Sequence, residues 1–107
     1  MMKIESTPLT GVTLIKPTVQ RDTRGFFLET WHAERYMDAG IHLTFVQDNH
    51  SRSSQGILRG LHLQTEKPQG KLVRVTSGAV FDVAVDCRAS SPSCGKWYGV
   101  TLTAEGQ

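Results

Sequence analysis

A run of alternating side chains from Ala79 to Asp86 constrains the architecture of this chain more than any other feature of its sequence. Side chains two positions apart lie on the same face of a β-strand, so the run predicts a strand with two different faces. One face carries Asp82 and Asp86, which we expect to meet solvent or a turn. The other face, which we expect to point toward the core, carries Ala79, Phe81, Val83 and Val85.

Six more β-prone runs, separated by turn-forming residues, indicate that most of the chain is strand. They cover residues 12–15, 26–30, 43–50, 57–64, 71–75 and 97–103. Charged residues and a glycine predict a turn at 21–25, and composition predicts a loop at 88–96. The segment 31–39 predicts a short peripheral helix with Thr30 as its N-cap and Gly40 as its C-terminal stop.

Seven candidate strands and one short helix favour an all-β fold, either an antiparallel β-sandwich or a jelly roll. With 107 residues, the chain is expected to form a single domain over residues 1–107. Residues 103–107 are typical of a turn that leads into another strand. We therefore expect the sheets to be incomplete at the C-terminal end.

Composition narrows the classes of function. Lys and Arg number 12 against 10 Asp and Glu, and a formal net charge of +2 is too small to indicate non-specific nucleic-acid binding. No apolar run approaches the roughly 20 residues of a membrane span, and the N-terminus lacks the apolar core of a secretion signal, so we expect a cytoplasmic protein. Cys87 and Cys94 have the spacing of neither a redox pair nor a zinc site and are interpreted as free thiols.

The strands predicted at 57–64 and 71–75 carry a base and two cations, Arg59, His62 and Lys71. An imidazole is a suitable base for a proton on the carbon beside a ketone, and a fixed cation stabilises the enolate that forms. Alternation places Lys71 on the inward face of its strand, which is unusual for a lysine unless the interior there is a pocket. The group therefore predicts a site that binds an anionic substrate and moves a proton beside a carbonyl.

Regular strand geometry would point Arg59 and His62 to opposite faces, because three positions separate them. Gly60 resolves this conflict, since glycine inside a strand often marks a bulge that would turn both side chains to one side. We therefore predict a bulge or bend at Gly60. Considered singly, His62 also fits a structural histidine and Arg59 a surface cation. Gln47 and Asn49, on one face of a predicted strand, fit either a polar pocket or hydrogen bonds to neighbouring backbone.

The interval from Gly56 to His62 matches that of metal-binding jelly rolls of the cupin type, which continue as His-x-His followed by a glutamate. Here Gln64 occupies the position of the second histidine, and Pro68 and Gln69 lie where the glutamate would be. Neutral amides are poor ligands for a transition metal. We therefore predict no bound catalytic metal, so that His62 acts as a base in its own right.

Five sequence blocks, in order and covering nearly all of the chain, closely resemble the dTDP-4-dehydrorhamnose 3,5-epimerase family. They are Asp22–Glu29 (DTRGFFLE), Phe45–Asn49 (FVQDN), Leu58–Gln64 (LRGLHLQ), Gln69–Val75 (QGKLVRV) and Asp82–Asp86 (DVAVD). The resemblance implies a cupin-type jelly roll, a homodimer and no metal or organic cofactor. It also implies action on a dTDP-linked 4-keto-6-deoxy sugar in rhamnose synthesis.

The resemblance assigns a role to each candidate residue. His62 would abstract the protons at C3 and C5, Lys71 would support the enolate, and Arg59 would bind the pyrophosphate. Gln47 and Asn49 would line the site. The residues expected to reach the nucleotide from the partner subunit are Arg24, Phe27 and Glu29.

The resemblance also implies that other residues needed for turnover lie beyond this chain, among them a tyrosine that returns the proton. Tyr98 does not match the position of that acid. Two classes of function therefore stay open, an epimerase and a non-catalytic nucleotide-sugar-binding protein that lacks the acid. Epimerases that act at a single carbon, and ketoisomerases, share much of the same pattern.

Overall fold

Within residues 2–106, which the structure describes, the computed structural model has six strands and one helix. The strands are β1 (Lys3–Ser6), β2 (Thr13–Lys16), β3 (Val19–Asp22), β4 (Gly25–Leu28), β5 (Ala79–Val85) and β6 (Trp97–Thr103), and the helix is α1 (Ala33–Asp38). The strands form three antiparallel pairs, β1–β2, β3–β4 and β5–β6. The prediction of antiparallel pairing is confirmed. The predicted domain begins at Met1 and ends at Gln107, and Gln107 is also the end of its predicted last turn. Both residues lie outside the described residues.

The chain divides into two compact units, and each is described separately below. The first consists of the described residues of Met1–His32 and Val73–Gln107, and the second of Ala33–Leu72. All three strand pairs belong to the first unit and α1 to the second. Across residues 2–106, no helix has the length and apolar character that crossing a bilayer requires.

A threonine closes the turn between β1 and β2. The Thr7 hydroxyl donates a hydrogen bond to the Val12 carbonyl at 2.7 Å, and the Leu9 amide donates back to that hydroxyl at 3.3 Å. Leu9 is only 2% exposed and forms part of the core. The strand β2 was predicted, but β1 was not, because Ile4 is the only apolar residue among its four positions and its pairing with β2 defines it.

The β5–β6 hairpin is the most extensive pairing and runs from Ala79↔Thr103 to Val85↔Trp97. Both strands were predicted, and that prediction is confirmed. The prediction of which face is buried was wrong, because Phe81 remains 65% exposed. The Phe81 ring lies across the neighbouring strand where Gly99 has no side chain, since a Cβ at Gly99 would lie 2.4 Å from Phe81 Cζ.

The helix α1 ends where the sequence predicted but begins later. The Gly40 amide donates to the Met37 carbonyl at 3.0 Å and the Ile41 amide to the Tyr36 carbonyl at 2.9 Å, which is a Schellman motif with Gly40 at φ +94°. The predicted stop is therefore confirmed. The predicted N-cap was wrong, because the first helical residue is Ala33 and not the residue after Thr30.

The strands predicted at 43–50, 57–64 and 71–75 are not formed, and this corrects the sequence analysis. Val46 is 90% exposed and Leu58 92% exposed, so the apolar side chains of this region are not packed against a core. Strand propensity does not produce a ladder without a neighbouring strand to satisfy its backbone groups. Among the described residues, every assigned strand pairs within one of the three hairpins, and none of them pairs with residues 41–76.

A buried carboxylate organises the loop between β5 and β6. Asp86, only 5% exposed, accepts hydrogen bonds from the Arg88 guanidinium at 2.9 and 3.0 Å and from the hydroxyls of Ser91 and Ser93, each at 2.5 Å. Arg88 also donates to the Thr10 carbonyl at 2.9 Å. The expectation that Asp86 meets a turn is confirmed, but it does not meet solvent, because the loop folds back over it.

These donors lower the pKa of Asp86 far below its ordinary value, with Arg88 as the largest cause, followed by Ser91 and Ser93. The donors favour the charged form of the carboxyl, because each of them bonds to the carboxylate oxygens. A carboxyl whose pKa is lower in the folded state stabilises that state above its unfolded-state pKa of about 4. This stabilisation is lost as the pH falls below about 4 toward the folded-state pKa.

We predict that an Asp86→Asn variant unfolds at a lower urea concentration than the parent chain at about pH 6, and that this difference shrinks at about pH 3. The amide has nearly the same shape but lacks the charge to which Arg88 bonds. Urea unfolding followed by circular dichroism at both pH values measures the effect. Asp82→Asn, which changes an exposed carboxylate of β5, is the matched control. Parallel pH profiles for Asp86→Asn and the parent chain would contradict the prediction.

Candidate functional site

The β3–β4 hairpin holds two of the predicted substrate-binding residues, Arg24 and Phe27. Its register pairs Asp22 with Gly25 and Gln20 with Phe27. The predicted turn at 21–25 was too long, because Arg21 and Asp22 are the last residues of β3. Gly25 has φ +139°, a conformation that favours glycine and lets β4 begin directly after Arg24.

Asp22 fixes the position of Arg24 at the tip of this hairpin. The Arg24 guanidinium donates to Asp22 Oδ2 from two nitrogens, at 2.6 and 3.1 Å, and the Arg24 amide donates to Oδ1 at 2.8 Å. The side-chain hydrogen bond from Arg24 lowers the pKa of Asp22, and the same bond raises the pKa of Arg24. The Arg24 side chain is still 88% exposed, so an anion has open access to its guanidinium.

The two phenylalanines of β4 occupy opposite faces of the hairpin, because they are consecutive residues of one strand. On one face the Arg21 guanidinium lies 5.6 Å from the centre of the Phe26 ring, within the range of a cation–π interaction. On the other face Phe27 is 70% exposed beside Gln20. An open cleft of about 410 Å³ follows the hairpin and is lined by Gln20, Arg21, Asp22, Arg24, Gly25, Phe26 and Phe27.

The third predicted nucleotide contact, Glu29, follows the last residue of β4 and is exposed. It does not line the cleft. The hairpin therefore presents an aromatic ring and a cation together, and Glu29 lies just beyond them along the chain. A flat ring and a guanidinium are the groups that a base and a phosphate would contact.

The second unit holds the other five candidate residues. Gln47 Nε2 donates to Asn49 Oδ1 at 3.1 Å, so the structure brings these two amides together as their shared face predicted. Arg59 Nε donates to Ser53 Oγ at 2.8 Å, and its NH2 group donates to the Arg52 carbonyl at 3.3 Å. These bonds fix one edge of the Arg59 guanidinium.

Lys71 and His62 are both exposed, and each has a neighbour two residues away in sequence. Lys71 Nζ donates to Gln69 Oε1 at 2.7 Å. His62 lies close to Gly60, since a Cβ at Gly60 would be 3.4 Å from His62 Nδ1. Within the part of the chain that the structure describes, no hydrogen bond joins His62 to Arg59 or to Lys71, and their predicted convergence stays a prediction.

The predicted bulge or bend at Gly60 stays a prediction, because the strand predicted around it is not formed. Gly60 has φ +90°, a backbone conformation that L-residues rarely adopt, and no ladder runs from Arg59 to His62. No strand is formed on either side of Gly60, so the structure shows no bulge there.

Sequence reasoning missed several residues that shape these sites. Arg21 and Gln20 were assigned to a turn or left out, although both lie beside the phenylalanines through the β3–β4 register. The positions of Arg21 and Gln20 beside the phenylalanines follow only from the pairing of β3 with β4. Ser53 and Gln69, which position the two cations, carried no signal, since a polar residue in a loop has many possible partners.

Among residues 2–106, no group of three or more His, Cys, Asp or Glu side chains is arranged to hold a metal ion. The donors that the structure does present are two amides, two cations and an imidazole in one unit, and an aromatic ring with a guanidinium in the other. Such a set is able to bind a phosphate-bearing ligand and to exchange a proton with it.

Comparison with known proteins defines first the fold and then the family. The chain superposes on an epimerase from Legionella pneumophila, solved in complex with dTDP-4-keto-L-rhamnose, with a TM-score of 0.96 and 50% identity, covering 100% of this chain and 57% of that one. It also superposes on dTDP-4-dehydrorhamnose 3,5-epimerase from Bacillus anthracis, which was solved with TDP and PPi bound. The TM-score is 0.94 and the identity 39%, and the superposition covers 99% of this chain and 62% of that one. The three hairpins are thus part of a cupin-type antiparallel jelly roll, which confirms the predicted fold class.

A sequence model described as dTDP-4-dehydrorhamnose 3,5-epimerase matches residues 6–107. The chain belongs to this family. It is 57% identical over 104 residues to the Neisseria gonorrhoeae protein of that name, covering 97% of this chain and 32% of the relative. It is 52% identical over 99 residues to the Methanothermobacter thermautotrophicus protein of the same name, and this match covers 92% of this chain and 54% of the relative. The chain thus spans about a third to a half of the length of these two relatives.

The positive φ of Gly60 yields a test of how His62 is positioned. We predict that Gly60→Ala and Gly56→Ala each lower the free energy of unfolding by about 1 kcal/mol, because both glycines have a positive φ. Only Gly60→Ala should change the NMR chemical shifts of the His62 ring, since its new methyl group would contact Nδ1. The space around Gly56 is open within 4 Å, which makes it the matched control. Equal shifts of the His62 ring in the two variants would contradict this account.

Proposed function

We propose that this chain epimerises a dTDP-linked 4-keto-6-deoxy hexose at C3 and C5, in the formation of dTDP-L-rhamnose. The observation that carries the proposal is the 0.96 TM-score over the whole chain to a relative solved with dTDP-4-keto-L-rhamnose. The family match over residues 6–107 contains all eight residues proposed for the site. The functional groups of those residues are of the kinds that this chemistry needs.

The chemistry depends on the ketone at C4. Carbons C3 and C5 flank that ketone, so each of their protons is acidified by delocalisation of the resulting charge onto the carbonyl oxygen. His62 is proposed as the base that takes these protons, and Lys71 as the cation beside the developing enolate. The Lys71 ammonium is held by Gln69 at 2.7 Å through one of its three donors, which leaves two donors for an oxyanion.

The pyrophosphate is assigned to Arg59. Ser53 and the Arg52 carbonyl occupy Nε and one NH2 group of its guanidinium. The Arg59 guanidinium has five N–H donors, so the others remain available to oxygen atoms of a phosphate. Gln47 and Asn49, already hydrogen-bonded to each other, are proposed to line the sugar.

The nucleotide is assigned to the β3–β4 hairpin of a partner subunit in a homodimer. Phe27 offers an exposed ring for the base, Arg24 offers a guanidinium for a phosphate, and Glu29 lies beyond them for a polar contact. The support for this assignment is the open cleft of about 410 Å³ along the hairpin. A cytoplasmic location is part of the proposal, and cell fractionation tests it.

Proton exchange tests the base directly. With the full chain in deuterium oxide, we expect deuterium to enter the substrate at C3 and C5, as followed by NMR. His62→Ala should slow this exchange by about 100-fold or more, because a general base typically contributes at least that factor. His42→Ala, which removes an exposed histidine of the same unit, should leave the rate unchanged. Absence of exchange with the parent chain would refute epimerisation by this chain.

Nucleotide binding tests the hairpin separately from the chemistry. We predict that Phe27→Ala weakens the binding of TDP by about tenfold, the value of one stacking interaction between a base and an aromatic ring. Isothermal titration calorimetry measures the dissociation constant. Phe81→Ala is the control, because Phe81 is 65% exposed and Phe27 70% exposed, but only Phe27 lines the cleft. An equal loss of affinity in the two variants would exclude Phe27 as a specific contact.

A further inference from the structure

The two cysteines lie in the loop between β5 and β6, outside the site proposed above. Cys87 directly follows the buried Asp86, and Cys94 directly precedes Gly95. Both are free thiols and both are exposed. Their separation of seven positions carries no signal in the sequence, but the hairpin brings the residues next to them into hydrogen-bond contact.

The backbone around the cysteines forms a β-bulge of the type that begins with glycine. The Gly95 amide donates to the Asp86 carbonyl at 2.7 Å, and the Asp86 amide donates to the Lys96 carbonyl at 2.9 Å. Gly95 has φ +83°, as the first position of this bulge requires. Gly95 and Lys96 together therefore oppose the single residue Asp86.

One of these hydrogen bonds joins the two peptide groups that flank the cysteines. The carbonyl that accepts it belongs to the peptide between Asp86 and Cys87, and the amide that donates it belongs to the peptide between Cys94 and Gly95. Each cysteine Cα is therefore directly bonded to one of two hydrogen-bonded peptides. A disulfide needs Cα atoms about 4.4–6.8 Å apart, and a hydrogen bond between the peptides attached to the two Cα atoms brings them toward that range.

The loop between the cysteines is anchored so that its two ends stay together. The Cys94 amide donates to the Ser91 carbonyl at 3.1 Å, and the Ser91 hydroxyl donates to the Asp86 carboxylate at 2.5 Å. Arg88, next to Cys87, donates to the same carboxylate. The segments that carry the two thiols thus share one buried acceptor.

We propose that Cys87 and Cys94 form a reversible intramolecular disulfide when the protein meets a small-molecule disulfide such as oxidised glutathione. One cysteine thiolate attacks a sulfur of the oxidant, which breaks its S–S bond and releases one glutathione thiolate. The second cysteine thiolate then attacks the protein sulfur of the mixed disulfide and releases the second glutathione. The two cysteine thiols lose two protons and two electrons, and the electrons reduce one glutathione disulfide to two thiols.

The test is to incubate the full chain with oxidised glutathione, alkylate the remaining thiols and measure the intact mass. We expect the main product to have lost two hydrogen atoms, with at least about tenfold more of it than of any glutathione adduct, since ring closure is intramolecular. Peptide mapping should join Cys87 to Cys94. Cys87→Ser and Cys94→Ser should each accumulate the single glutathione adduct instead.

A backbone variant tests whether the bulge brings the thiols together. Gly95→Ala strains a position at φ +83° without a steric contact within 4 Å, and we expect it to raise the ratio of glutathione adduct to disulfide. Gly56→Ala, at φ +84° and equally free of contacts, should leave that ratio unchanged. Two glutathione adducts on the parent chain, or disulfides only between chains, would overturn the proposal.

Discussion

Backbone hydrogen bonding between adjacent strands is the interaction on which the rest of this structure depends. Each strand of the described residues finds its partner in its own hairpin, and β5–β6 is the longest of these pairs. The region 41–76 has strand-forming residues but no such partner, and it remains without assigned strands. Local pairing therefore determines which predicted elements appear, because an unpaired strand leaves a row of donors and acceptors unsatisfied.

The sequence predicts four of the strands well because each is a run of β-prone residues. Alternation over Ala79 to Asp86 gave β5, and the run at 97–103 gave β6 with its observed limits. It could not give β1 or β3, since their residues are largely polar and only the register with a neighbour defines them. It also overestimated the burial of Phe81, because the burial of a strand face depends on whether another layer covers it.

The geometry of the candidate site was only partly predictable from the sequence. Gln47 and Asn49, which were predicted to share a strand face, are hydrogen-bonded to each other. The convergence of Arg59, His62 and Lys71 depended on two predicted strands that the described structure does not form. Gly60 has φ +90°, and a glycine inside an apolar run reports a backbone requirement rather than a packing one.

The Arg88 guanidinium has a consequence beyond the loop in which it lies. It bonds to Asp86 two residues away and to the Thr10 carbonyl 78 residues away, so one side chain joins the β5–β6 loop to the turn between β1 and β2. Substitutions near Thr10 and substitutions near Asp86 therefore share a common partner. Their energetic effects should not add, although the two positions lie at opposite ends of the sequence, because residues within one hydrogen-bond network are coupled.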